Sequence, residues 1–323
     1  MLVIITLMDI LYLLRLQDLR LSLSSLEYFF AFVSELATSP AIVILVCLYY
    51  WAYNKKNGFF IITLTATSQV LNQFVKNTAC VYRPWIRDSR ITCSPLAIEE
   101  ATGYSFPSGH TIMAGSSAGG IAFLSWQKRK YISLLCIAYI LLVAFSRNFL
   151  GCHTPQDVLV AMLESFVLIF ALSRCILWLE KNPSKHWVVF LLSIIFTIAY
   201  LLYTQFKPYP LDYVNNKLLV DPYEMKTDSF KAAGCFFGLA LGSFIESKRI
   251  NFSTENISNK IKFIRSLIGL VCAATVLLGI NPLLKSLISD ANICGFIRYT
   301  LLFLTATACV PALFTFVEKR FAL

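Results

Sequence analysis

The sequence predicts an all-α, polytopic membrane bundle: about nine transmembrane helices with an interfacial helix ahead of them. Three observations carry this expectation. Of the 323 residues 57% are hydrophobic and only 14% charged, too little charge to clothe a soluble domain of this size. The apolar residues gather into runs near the ~20 residues that a helix needs to cross the hydrocarbon layer. Lys and Arg cluster in alternate loops between those runs, as topology determinants do. The runs must be helical, because the bilayer offers no partners for unpaired backbone groups.

Residues 1–23 are apolar but interrupted by Asp9, Arg15, Asp18 and Arg20. They lack the basic start and small-residue cleavage site of a signal peptide, and they read as an amphipathic helix lying in the interface, with a first spanning helix as the alternative. The expected spans are 26–51, 59–76, 108–126, 131–146, 155–179, 187–203, 229–246, 263–280 and 295–317. We divide the chain into an interfacial segment (1–25), a catalytic helical core (26–179) and an additional four-helix transmembrane region (180–323).

Lys55 and Lys56, Lys128 to Lys130, Lys181 and Lys185, Lys248 to Lys262, and Lys319 and Arg320 then fall on one side, which should be cytoplasmic. The intervening loops 77–107, 152–154, 205–228 and 281–294 should face outward. This placement accounts for the net charge of +10 without a nucleic-acid partner. The ten cysteines form neither a CxxC pair nor a Cys/His cluster, so no metal or redox cofactor is expected. Cys80 and Cys93 share a polar loop and leave a disulfide between them open.

Three polar constellations punctuate the apolar runs. In the first, Lys76 ends a span and Arg83 follows seven residues on, before Pro84. Two cations there can grip an anion, the guanidinium as a planar fork, or else snorkel to headgroups. The second is Pro107-Ser108-Gly109-His110, at the start of a span. Ser108 suits an N-cap, Gly109 permits close backbone approach, and the free N–H groups of a helix start attract anions. The plainer reading is a cap with an incidental histidine.

In the third, Ser146 and Arg147 close one span, and His153 and Asp157 flank the start of the next. Four residues apart on a helical turn, His153 and Asp157 share a face. The carboxylate can hold one ring nitrogen and leave the other free to attack, or the pair can simply fix a loop. Two of the three histidines in the chain lie in these constellations. In the expected topology all three constellations meet at one membrane face. Together they offer a phosphate cradle (Lys76, Arg83, Arg147), a nucleophile, its orienting carboxylate and a general acid.

In this order the patterns K-x6-R-P, P-S-G-H and S-R-x5-H-x3-D resemble the signature of the type 2 phosphatidic acid phosphatase superfamily, with all eleven fixed residues present. The resemblance covers residues 26–179, and the Ser-Glu-Leu-Ala stretch at 34–37 adds a weaker likeness. It implies a hydrolase that needs no metal or other cofactor. His153 would attack phosphorus and form a phosphohistidine, with Asp157 orienting it. His110 would protonate the leaving group and then activate water. Lys76, Arg83, Arg147, Ser108 and the Gly109 N–H would bind the phosphoryl oxygens.

The implied partner is a phospholipid or polyprenyl phosphate substrate reached from within a bacterial plasma membrane, at an outward-facing site. A phosphotransferase would use the same residues. A non-catalytic lipid-binding or transport protein on the same fold would be expected to have lost a histidine or an arginine.

Overall fold

The computed structural model describes residues 2–321, with side chains from Met8 onward. Among the described residues the chain is almost wholly helical: α1 (Leu2–Ser22), α2 (Ser24–Thr38), α3 (Pro40–Ala52), α4 (Lys55–Ala79), the single turn α5 (Pro84–Arg87), α6 (Gly109–Ser125), α7 (Lys130–Phe149), α8 (Pro155–Lys181), α9 (His186–Phe206), α10 (Pro222–Ile245), α11 (Asn259–Ala274), α12 (Asn281–Leu287), α13 (Ala291–Leu304) and α14 (Val310–Phe321). The only strands described, Tyr213–Val214 and Lys217–Leu218, form a hairpin in the loop before α10. Its turn residues Asn215 and Asn216 both have positive φ (50° and 60°), the conformation a two-residue hairpin loop requires.

Each of the nine expected spans is helical, but they are not alike. Five stretches are long and apolar enough to cross a membrane: Lys130–Phe149, Pro155–Lys181, Pro183–Phe206, Asn259–Leu287 and Ala291–Phe321. Ser24–Thr38 and Pro40–Ala52 make a sixth if taken together, bent by 42° where Pro40 interrupts the helix. The remaining three, α4, α6 and α10, fall short by length or composition, so nine spans become five or six that qualify on these grounds. The reason is physical. α4 buries Ser68, Asn72, Lys76 and Asn77, and α6 has 17 residues, buried along most of its length. Helices shielded by neighbours need not be greasy all round.

The chain forms two compact units. The first comprises Met1–Ile42, Leu71–Ile169 and Pro208–Met225. At its centre α6 packs against α2 and α7. Small residues make this close packing work: a Cβ on Gly115 would stand 2.3 Å from Ser165 Oγ of α8, and one on Gly119 3.0 Å from Ile169. Phe30, Phe149, Leu150 and Cys152 form an apolar cluster beneath the α7–α8 turn. α1 ties down the neighbouring loop, since the buried Arg20 donates to Thr92 O (2.7 Å) and Phe149 O (3.2 Å).

The second unit comprises Val43–Val70, Phe170–Lys207 and Lys226–Leu323. Its buried polar centre is Arg265, which forks onto Glu318 (2.6 and 2.9 Å) and caps the carbonyls of Trp51 and Ser253. Bidentate pairing and carbonyl contacts satisfy a charge that would otherwise be costly to bury. Trp51 in turn donates its indole N–H to Ala306 O at 2.7 Å.

α10 approaches the C-terminal helices through glycines spaced four apart. A Cβ on Gly234 would lie 2.4 Å from Phe296 O, on Gly238 2.3 Å from Thr300 O, and on Gly242 1.9 Å from Thr307 Oγ1. This is the small-xxx-small contact by which membrane helices bring backbones together. Replacing Gly238 with Val should therefore destabilise the protein by about 1–3 kcal/mol through overpacking. Gly279→Ala, which would meet nothing within 4 Å, should be tolerated. Thermal unfolding of both variants in detergent checks the contrast.

Candidate active site

The connectivity of the first unit brings helix ends of opposite polarity together. α4 and α7 end where α6 and α8 begin. Cations are favoured at helix C-termini, and Lys76 and Arg147 sit at the ends of α4 and α7. Anions are favoured at helix N-termini, and α6 and α8 start with Gly109 and Pro155. The two starts are joined directly: Ser108 N donates to the backbone oxygen of Asp157 at 3.0 Å. Ser108 also caps α6, its Oγ accepting from Thr111 N.

Asp157 is the centre of the network. One carboxylate oxygen accepts from Ser105 Oγ (2.5 Å), from Thr154 N (2.9 Å) and from His153 Nδ1 (3.3 Å). The expected Thr154 cap is thus supplemented by a carboxylate reaching back from the first turn. On the far side of the ring, Arg83 Nη1 stands 2.9 Å from His153 Nε2. A guanidinium can only donate. Nε2 must therefore present its lone pair, and the proton resides on Nδ1, against Asp157. Burial, then the neighbouring Arg83 cation, hold His153 well below the ordinary imidazole pKa, against the opposing pull of Asp157.

The two arginines differ. Arg83 spends most of its donors on backbone, bonding Gly103 O (3.1 Å), Thr102 O (2.7 Å) and Cys152 O (3.1 Å). Burial lowers its pKa to about 10, which leaves it a cation at neutral pH. Arg147 is 1% exposed and donates one bond, from Nη1 to Ser34 Oγ at 2.7 Å. Among the described residues its Nε and Nη2 have no hydrogen-bond partner. Those two atoms form one edge of the guanidinium, the edge that takes two oxygens of a phosphate or carboxylate side by side.

His110 lies in the first turn of α6, with Nε2 3.0 Å from the half-exposed carboxylate of Glu100. Because the carboxylate only accepts, the shared proton sits on Nε2. This contact holds Glu100 below its usual range. Lys76 is buried at the end of α4.

The structure thus links Arg83, His153, Asp157 and Ser108 in one continuous network, with Arg147 electrostatically close to both histidines. Sequence reasoning assigned no role to Ser34, Ser105 or Glu100. Ser34, a lone hydroxyl in an apolar stretch, was the nearest to a readable signal. Cys93 and Cys80 are not paired. Cys93 Sγ instead contacts Cys152 Sγ at 3.3 Å, and all ten cysteines are free thiols.

The helical membrane architecture and a buried cationic cradle around a His–Asp pair define a class: membrane proteins built to hold a phosphate-like anion. Residues 57–181 match the family described as the PAP2 superfamily, and residues 230–320 match "PAP2 superfamily phosphatase, transmembrane extension". Residues 57–181 are thus a PAP2 superfamily domain, followed by the transmembrane extension of that superfamily. Phosphatidylglycerophosphatase B of Escherichia coli K12 is 38% identical over 72 residues, 22% of this chain and 28% of that protein. Phosphatidylglycerophosphatase B of Bacillus subtilis 168 is 30% identical over 139 residues, 41% of this chain and 64% of that protein. The chain therefore spans less than two thirds of either relative. No solved structure matches it.

The turn that delivers His153 depends on Gly151. Its φ of +74° is left-handed, and a Cβ there would fall 2.6 Å from Thr92 O. Gly151→Ala should displace His153 and lower kcat by roughly 10²-fold while every polar group of the site is retained. Kinetics on the purified variant, with circular dichroism as a folding control, check this.

Proposed function

We propose that the protein is a lipid phosphate phosphatase working through a phosphohistidine. The carrying observation is the open Nε/Nη2 edge of the buried Arg147 in a network that also presents the His153 Nε2 lone pair. A buried cation without a counter-ion is costly unless a ligand supplies one, and a phosphate monoester dianion is suited to do so.

The sequence of events follows from the donors. The phosphate takes two hydrogen bonds from Arg147 and replaces His153 as the acceptor for Arg83 Nη1. This frees Nε2 to attack phosphorus. As the N–P bond forms, Asp157 stabilises the positive charge on the ring through Nδ1–H. The P–O bond to the lipid breaks, and His110 gives the leaving oxygen a proton. Water, losing its proton to His110, then attacks the phosphohistidine and releases inorganic phosphate and neutral His153. Lys76, Arg83 and Arg147, with the Ser108 and Gly109 region of the α6 start, neutralise charge building on the phosphoryl oxygens.

The names of the relatives and the membrane-spanning helices support a phospholipid substrate, and phosphatidylglycerophosphate is the first to test. The distribution of basic loops supports an outward-facing site in a bacterial plasma membrane. On this reading residues 26–179 carry the chemistry, and 180–323 are an added membrane region.

His153→Ala should abolish phosphate release, and Arg147→Ala should lower kcat/KM by at least ~10²-fold. Activity should survive EDTA and be blocked by vanadate, which mimics five-coordinate phosphorus. Near-normal turnover in His153→Ala would eliminate the covalent step. Because His153 must be neutral to attack and its pKa is depressed, the acid limb of kcat/KM should lie below pH 6.5. Removing the cation in Arg83→Gln should shift that limb upward as well as slow the reaction. A pH–rate profile reads both.

A further inference from the structure

Two polar side chains face the protein interior next to the site but take no part in the chemistry above. Asn72 lies on α4, one helical turn before Lys76. It is 1% exposed; its Nδ2 donates to Pro107 O at 3.4 Å, and its Oδ1 has no partner. A Cβ built on Gly109 would stand 3.8 Å from Asn72 Oδ1. Glu164 lies on α8, seven residues beyond Asp157. Asn72 hydrogen-bonds its carboxylate and Lys76 is close enough to act on it electrostatically, yet Oε2 is buried without a partner.

An ionisable group inside a spanning helix is expensive to maintain and marks function by default. The chemistry of the open atoms is selective. Asn72 Oδ1 and Glu164 Oε2 are both acceptors, so whatever completes them must donate hydrogen bonds. A fully ionised phosphate is excluded, because it offers no donor. The acyl chains offer no donor either. The part of a lipid phosphate that can donate is its alcohol.

We propose that Asn72 and Glu164 form a headgroup subsite that receives a hydroxyl carried by the leaving alcohol, making the protein selective for lipid phosphates whose alcohol has a free hydroxyl near the ester bond. This rests on the phosphatase reading and specifies its substrate. A substrate without that hydroxyl leaves two buried acceptors unmatched, and sites built to hydrogen-bond a hydroxyl discriminate strongly against analogues lacking it.

The test compares kcat/KM of the full-length protein in detergent micelles for phosphatidylglycerophosphate, whose glycerol carries a hydroxyl, and for phosphatidic acid of the same acyl chains, which has none. The wild type should favour the first. Asn72→Leu and the shape-conserving Glu164→Gln should each cut the ratio of the two kcat/KM values at least fivefold, with the larger loss on the hydroxyl-bearing substrate. An unmoved ratio means the acceptors are satisfied by water alone and overturns the subsite. A parallel fall on both substrates assigns the residues to structure or to Lys76, and overturns it equally. Should Asn72→Leu fail to fold, Glu164→Gln decides the matter. Wild-type hydrolysis of both lipids with an unmoved ratio leaves the phosphatase reading standing; hydrolysis of neither removes both.

Discussion

The hydrogen-bonded carboxylate of Asp157 is the constraint on which the site depends. It joins the turn before α8 to its first helical turn through Thr154 N, fixes the proton of His153 on Nδ1, and reaches Ser105 in the segment before α6. Its backbone oxygen takes the N–H of Ser108. One residue therefore sets the tautomer of His153 and ties two helix starts together. A carboxamide in place of Asp157 would keep the shape but could not accept at every contact with one oxygen while favouring a proton on the ring.

Around that centre the charge is unbalanced by design. Lys76, Arg83 and Arg147 are all buried, and the buried anion among the residues assigned to the chemistry is Asp157. Arg83 is stabilised by three backbone carbonyls and is largely a fixed wall. Arg147 is held by a single hydroxyl and keeps its forked edge open. In the proposed mechanism the contrast gives the two guanidiniums different work: Arg83 positions His153, and Arg147 offers the pair of donors that an incoming anion needs. Such preorganised donors act without reorganisation at the moment of reaction, which is where electrostatic catalysis gains most.

Much of this was legible in the sequence because membrane insertion writes itself in composition. All nine apolar stretches are helical, and Arg83, Ser108, His153 and Asp157 from the three motifs meet in one hydrogen-bonded network. The likeness of the spans was not legible. α4 and α6 read as spans in the sequence, yet α4 carries too many polar residues and α6 is too short to qualify, and both are largely buried against neighbours. The glycines of α6 and α10 mark close contacts, but a glycine's packing partner is a tertiary fact that one sequence does not reveal. Glu100 and Ser34 were missed because no spacing rule links either to the group it holds: Glu100 lies in an irregular loop ten residues before His110, and Ser34 lies 113 residues from Arg147. The disulfide considered for Cys80 and Cys93 rested on a shared loop, whereas Cys93 packs against Cys152, 59 residues away.

The order of groups along α8 bears on the proposal of a lipid, rather than a soluble phosphate ester, as the substrate. His153 and Asp157 stand at the start of the helix, and Glu164 is seven residues further on, about 10 Å deeper at 1.5 Å per residue. A lipid phosphate in a bilayer has the same order: phosphate outermost, alcohol below it, acyl chains deeper still. A substrate approaching sideways would bring its phosphate to the cationic end of the helices and its alcohol to the level of Asn72 and Glu164. A small soluble ester could reach the cradle, but nothing would hold its alcohol toward the membrane interior, where the unmatched acceptors lie. On the proposed reading the polarity of the site runs in the sense that a lipid phosphate already carries, from phosphate to alcohol to acyl chain.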